Sequence, residues 1–467
     1  MLVNIIGIAA GLIVSFAFAA PTCPIDGPAF PKPLQLAESE AVKTAVANLQ
    51  EKSDPVNYVA WDEITLGGLA SQLTGIPREY ALLGELTQSK ETRGQVIQLG
   101  FPPLSQDQKP PCGAFPTCDR AQFFQGIGLF YPSLAPFQTP AYSNVAFQLL
   151  GYALETITGR TFQTLLDETV IKPLGLNNTF LRAPEDSRGI IPGDHDTTGW
   201  AFDIGESAAT GNMYASASDL SDLGRAILGH KLLSPVTTRR WLKPFAFSSD
   251  PLAMVGTILP DFDIGISVLL AGDLPGNAGF SLAGMSIAMV KYVAENEGNA
   301  YLKTDTIGDS LLLPIEEAAR SEAGEIYSGY YVSPDDKLNS SMTITTDELP
   351  GLSISQWFSN GTDFAWIATV LQNQYKPVTP RIRLYPSGLE GPSEDGGKRV
   401  AFKAMFEDAD APRNDGKMFS TECGSWVSIE SVIYGSAAMD ELIFNLDPSG
   451  KVVSVTSPSL RITLNKE

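Results

Sequence analysis

The stretch best suited to chemistry is Ala141-Tyr142-Ser143-Asn144, which stands immediately before a long amphipathic run. Tyr-x-Asn alone is short, and it describes a helix cap beside a packed tyrosine equally well. Other reactive types are sparse. The chain has two histidines, His195 and His230, and no second ligand set at zinc spacing. His195 in Gly193-Asp194-His195-Asp196 could ligate a metal, but one imidazole in an acidic loop reads as a solvated side chain. No metal and no cofactor is expected, since neither G-x-x-x-x-G-K-[ST] nor G-x-G-x-x-G occurs. G-x-S-x-G is also absent. Its nearest approach is Gly279-Phe280-Ser281-Leu282-Ala283, where Ser281 reads as the cap of a following helix. A Ser-His-Asp hydrolase is therefore disfavoured.

The elements that must position these residues can be read from periodicity. Glu38 to Lys52 has an apolar stripe at helical spacing (Ala41, Val42, Ala45, Val46, Leu49). Residues 99–140, rich in Pro, Gly and Gln, read as an extended loop excursion. Ser143 can cap a helix from Asn144 to Thr158, closed by Gly159. A second helix is expected near Phe162 to Val170, ended by Lys172-Pro173. A third starts at Ser216 or Ser218 and runs to Leu228-Gly229. Phe262 to Ala271 reads as a buried strand and Leu282 to Glu295 as a helix packed behind it.

From about Leu311 the period shortens. Alternating segments recur at Ser341–Thr346, Leu352–Phe358, Ala365–Val370, Arg381–Tyr385, Ala401–Phe406, Trp426–Val432, Glu441–Leu446, Val452–Val455 and Leu460–Leu464. This spacing predicts an all-β barrel or sandwich over 306–467. Trp357, Trp366 and Trp426 could form a sugar-stacking face, but their places in strand patterns favour a β-core.

Residues 2–18 are apolar and uncharged, and Ala17-Phe18-Ala19 fits a small-x-small cleavage site. Residues 1–19 are thus expected to be a signal peptide of a secreted protein, with no stable membrane anchor. Four cysteines allow three connectivities, among which sequence does not choose. Proximity favours Cys112–Cys118, which leaves Cys23–Cys423. Sequons begin at Asn177, Asn339 and Asn360 and are expected to carry glycans if the chain is exported. A formal charge of −21 without a Lys/Arg cluster argues against nucleic acid and anionic membranes as partners.

Four blocks in order give the tyrosine a context. They are Ile64-Thr65-Leu66-Gly67-Gly68-Leu69-Ala70-Ser71-Gln72-Leu73-Thr74-Gly75-Ile76-Pro77, then Ala141-Tyr142-Ser143-Asn144, then Ile171-Lys172-Pro173-Leu174-Gly175-Leu176-Asn177-Asn178-Thr179, then Ala209-Thr210-Gly211-Asn212-Met213-Tyr214-Ala215-Ser216 followed by Asp219-Leu220. In this order they resemble the serine β-lactamase-related family, which includes penicillin-binding proteins, esterases and transesterases. The likeness is strongest to its secreted fungal branch, whose C-terminal β-domain Glu422-Cys423-Gly424-Ser425-Trp426-Val427 resembles in part. The resemblance implies an α/β (α+β) β-lactamase/transpeptidase-like domain over 35–305. It also implies a small-molecule acyl substrate (ester, lactone or amide), with Tyr142 as proton relay and Asn144 as the substrate-orienting amide.

Two further parts of that machinery are absent. The family's Ser-x-x-Lys carries the nucleophile, and a Lys/His-Thr/Ser-Gly strand walls the oxyanion site. No lysine here has a serine three residues before it, and no Lys/His-Thr/Ser-Gly occurs. The first should precede Ile64. Only Ser53-Asp54-Pro55-Val56 and a few neighbours stand there, whereas one strand and one helix with connections need ~30 residues. The second should precede Phe262, where Ala253-Met254-Val255-Gly256 runs straight into Thr257. Removing a central helix and sheet strands could forfeit more than the ~5–15 kcal/mol of a typical net stability. Three readings follow: an inactive family member, a non-catalytic binding or pathway-accessory protein, or an active hydrolase whose reading frame has lost two segments.

Overall fold

A computed structural model of the chain describes residues 2–5, 54–80, 96–110, 112, 117–211, 213–242, 258–259, 264–265, 321–349, 351–372, 378–410 and 428–467. Contacts divide the chain into two units. One holds residues 1–48, 65–72 and 144–299; the other holds 49–64, 73–143 and 300–467.

In the first unit the amphipathic run forms the helix Asn144–Thr158, burying Val145, Phe147, Leu150 and Leu154. Gly159 ends it at φ +67°, its N–H returning to the Glu155 carbonyl at 2.8 Å. Gly151 lets the 3-10 turn Gly205–Thr210 pack closely, since a Cβ there would stand 2.6 Å from that of Ala209. The short helix Leu66–Ala70 packs on the same long helix, with Thr65 capping it by accepting from the Gly68 N–H.

Helix Phe162–Leu166 is capped by Thr161 and does not stop at Val170. It continues through a π turn, Asp167–Ile171, into Lys172–Leu174. Pro173 sits in the first turn of that last segment, where its missing N–H costs nothing, and Gly175 at φ +68° is the real terminator. Ser216, as anticipated, caps Ala217–Leu228 by accepting from the Asp219 N–H.

Three short strands, β1 (Leu2–Ile5, inside the segment expected to be a leader), β2 (Thr179–Phe180) and β3 (Met213–Ser216), pair antiparallel in the order β1-β3-β2. A further pair joins β4 (Ile258–Leu259) to β5 (Ile264–Gly265). The rest of the strand expected over 262–271, the helices expected over 38–52 and 282–295, and Ser281 lie outside the described residues.

The second unit is built on β6 (Gly329–Val332), β7 (Ser341–Thr345), β8 (Leu352–Ser359), β9 (Thr362–Asp363), β10 (Pro380–Pro392), β11 (Lys398–Asp408), β12 (Ile433–Tyr434), β13 (Ala437–Ala438), β14 (Glu441–Leu446), β15 (Val452–Ser457) and β16 (Ile462–Lys466). Eight of them follow the order β10-β11-β14-β15-β16-β6-β7-β8. The pairing of Ile354 with Ile382 then joins β8 back to β10 and closes an antiparallel barrel. Closure removes the free edges a sandwich would keep. Its filling includes Tyr331, Met342, Trp357, Leu384, Phe402 and Phe444.

Ala365–Val370 is not a strand. It belongs to the helix Phe364–Gln372, because Asp363 accepts from the Trp366 N–H at its start and the apolar run then buries Phe364, Ile367 and Ala368. The tryptophans consequently share no face. Trp357 is 1% exposed, with its ring 4.8 Å from that of Phe364, whereas Trp366 is 43% exposed. Residues 428–430 form a turn rather than the strand expected over Trp426–Val432, and Trp426 lies outside the described residues.

The excursion at 99–140 is also more ordered than its composition suggests. It carries the helix Arg120–Ile127, opened by a capping box in which Asp119 and Gln122 each accept from the other's backbone N–H. Phe101 is buried between Phe364 and Tyr434, with centroids 5.1 and 4.7 Å away.

Candidate functional site

Glycine is required at position 75 for a physical reason. Its φ is +61°, and a Cβ would fall 1.9 Å from the Leu134 carbonyl oxygen. That close approach lets the Gly75 carbonyl accept from both Ser133 and Leu134 N–H, while Phe137 N–H donates to the Leu73 carbonyl. The block Leu73-Thr74-Gly75-Ile76-Pro77 is thereby sewn to the chain entering Tyr142.

Two contacts complete the join. The buried Ser143 hydroxyl donates to the Pro77 carbonyl at 2.7 Å, so its bond goes to a distant backbone oxygen. The Arg78 guanidinium carbon lies 4.6 Å from the centre of the Tyr142 ring. Residues about 65 positions apart in sequence are thus brought together around the phenol. Asn144 is the first residue of the helix Asn144–Thr158 and is partly exposed.

Arg78 is in turn held from the barrel domain. Its backbone N–H donates to a Glu430 carboxylate oxygen at 2.9 Å, and its Nε lies 3.5 Å from Glu79. Glu430 occupies the left-handed region, at φ +56°. Its other oxygen accepts from Lys403 Nζ at 2.8 Å, and its N–H donates to Asp440 at 2.6 Å.

Lys403 is fully buried and stands cross-strand from Glu441, whose carboxylate it meets at 2.5 Å; Asp440 lies 3.5 Å away. One ammonium therefore faces three carboxyl groups. Burial pushes the Glu441 carboxyl up to about 8 despite Lys403, and burial also raises Asp440. The Lys403 ammonium is pulled down by burial but lifted further by Glu430, Glu441 and Asp440, for a net rise. Sequence reading missed this cluster. Lys403, Glu430, Asp440 and Glu441 converge only through the barrel's register and one left-handed turn.

The remaining sequence blocks meet around Asp219. Its carboxylate accepts from the Asn178 N–H at 2.7 Å and the Thr179 hydroxyl at 2.9 Å, and the Ser216 N–H donates to the Asn178 carbonyl. Their spacing is explained by positioning rather than by chemistry. His195 pairs with Asp186 at 2.9 Å on the surface, as a solvated histidine would. Cys112 and Cys118 form a disulfide, whereas Cys23 and Cys423 lie outside the described residues. Asn177, Asn339 and Asn360 are exposed.

Family models match this chain twice: a β-lactamase model over residues 44–243 and a β-lactamase-like C-terminal-domain model over 319–467. Both matched regions of the chain are thus β-lactamase-like. Among its relatives is a β-lactamase-like protein of Arthroderma benhamiae, 28% identical over 454 aligned positions, covering 88% of this chain and 74% of that one. The probable hydrolase clz13 of Cochliobolus lunatus is 24% identical over 498 positions, with 88% and 74% covered. The probable hydrolase M10 of a Phoma species is 24% identical over 482 positions, with 88% and 73% covered.

Proposed function

We propose that this chain is a secreted β-lactamase-like protein that binds a small ester, lactone or amide at Tyr142 and Asn144 and, lacking Ser-x-x-Lys, does not turn it over. The observation that carries the reading is the fixed setting of Tyr142, packed under Arg78 and bracketed by the Ser143–Pro77 hydrogen bond. A site residue kept in such a setting suits ligand recognition after the nucleophile is gone. The apolar leader, the Cys112–Cys118 disulfide and the exposed sequon asparagines support export.

The reading is tested by calorimetric titration of the full-length chain with a β-lactam, an aryl ester and a lactone. Binding by one of the three, weakened at least tenfold by Tyr142→Phe or Asn144→Ala, supports it. No binding by a cooperatively folded protein removes it.

A second reading, that the intact locus encodes an acyl-serine hydrolase, is favoured by a specific observation. The three alignments run over 454, 498 and 482 positions while containing 88% of this 467-residue chain, so the relatives hold internal residues that this chain lacks. Sequencing the transcript across Lys52–Pro55 and Val255–Thr257 decides between them. Inserted segments bearing Ser-x-x-Lys and Lys/His-Thr/Ser-Gly establish the hydrolase. A matching transcript leaves the binding protein.

A further inference from the structure

We propose that Arg78 is the positioning residue of the Tyr142 phenol, and that Glu430 of the C-terminal domain fixes Arg78 in that role. The inference rests on the reading of Tyr142 as a ligand-facing group, and it gives the β-barrel a part in the site.

Three observations carry it. First, a guanidinium 4.6 Å from a tyrosine ring centre is within cation–π range, and its planar face suits the ring. Second, Arg78 is clamped at its backbone, since its N–H donates to Glu430 Oε2 at 2.9 Å across 352 residues of sequence. Third, Glu430 is a rigid anchor: it is 2% exposed, left-handed at φ +56°, and tied to Lys403 through its carboxylate and to Asp440 through its N–H. A non-glycine residue at positive φ costs stability, and it persists where the surroundings over-determine it. Here the outcome of that strain is a carboxylate that accepts from the Arg78 backbone N–H.

The arrangement predicts a property of the phenol. A cation within about 4–6 Å favours the ionised form of an acid by about 1–3 pH units. Glu79, 3.5 Å from Arg78 Nε, offsets part of this, and Glu430 and Lys403 largely neutralise each other. The expected net effect of Arg78 is therefore at the low end, about one pH unit.

The test follows Tyr142 alone. In the full-length chain labelled with 13Cζ-tyrosine, the Tyr142 resonance is assigned by its loss in Tyr142→Phe and titrated from pH 7 to pH 11. Arg78→Gln and Arg78→Met are expected to raise its midpoint by about one pH unit, leaving the other tyrosine resonances in place. Arg78→Lys is expected to recover part of the shift. Glu430→Ala separates positioning from simple charge. Loss of a negative group by itself would lower the midpoint, whereas loss of the clamp on Arg78 raises it. An unmoved midpoint in either neutral Arg78 variant that keeps a cooperative thermal transition overturns the proposal. A lowered midpoint in Glu430→Ala overturns the part assigned to the barrel. Because the readout is Tyr142 itself and needs no ligand, failure of this inference is told apart from failure of the binding reading.

Discussion

Glu441 is the group whose removal is most informative about the barrel domain. Its side chain is fully buried, and it meets Lys403 at 2.5 Å in a site that Lys403 shares with two other carboxyl groups. Lys403 must also serve Glu430 and Asp440. The carboxyl consequently keeps its proton up to about pH 8, against 4.5 ordinarily. Its folded-state value lies above its unfolded one, so folding takes up a proton between those limits. The stability this confers is complete below about pH 4.5 and is lost as pH rises toward 8. One proton corresponds to about 1.4 kcal/mol per pH unit, or about 4 kcal/mol between pH 5 and pH 8. Asp440, also raised, acts with the same sign. Lys403, raised as well, stays charged throughout this window and contributes no slope there. Glu441→Gln mimics the neutral carboxyl. Its Tm should match the wild type near pH 5 and exceed it near pH 8, by about 2–4 °C for each kcal/mol recovered. Differential scanning calorimetry of both chains across pH 5–8 measures this. Parallel wild-type and variant Tm profiles would refute the claim that Glu441 folds as a neutral acid.

Other substitutions probe the remaining supports. Gly75→Ala must relieve both a contact 1.9 Å from the Leu134 carbonyl and a φ of +61°, and should destabilise the second unit by about 3 kcal/mol or more in urea unfolding. Asp219→Ala strands the Asn178 N–H and the Thr179 hydroxyl. It should cost about 2–4 kcal/mol, read as faster amide exchange at Asn178. Trp357→Ala should lower stability by about 3–5 kcal/mol while Trp366→Ala changes it by about 0.5 kcal/mol or less. Equal losses at the two tryptophans would place the helix Phe364–Gln372 wrongly.

What sequence could reveal here depended on how local the cause was. Ser216 and Gly159 bound their helices through contacts within a few residues, so both boundaries were readable. The Asp119/Gln122 capping box was equally local and went unread beneath the Pro- and Gly-rich composition around it. Ala365–Val370 carries β-branched and aromatic residues that suit a strand. What makes it helical is the Asp363 cap together with the barrel core available to Phe364. The barrel's strands were largely legible, but its closure was not, because the β8–β10 pairing is a tertiary event. The blocks around Tyr142 were legible as motifs from sequence alone. The grip on Arg78 by Glu430 could not be foreseen, since 352 residues separate them and no periodic signal links them.

The central claim is that this chain keeps a recognition site without a working nucleophile. Its most direct test is intact-mass spectrometry of the full-length, cooperatively folded chain after incubation with a fluorophosphonate and, separately, with a β-lactam. The account predicts an unchanged mass with both probes. A stoichiometric adduct that maps to a serine and disappears on prior denaturation would contradict it.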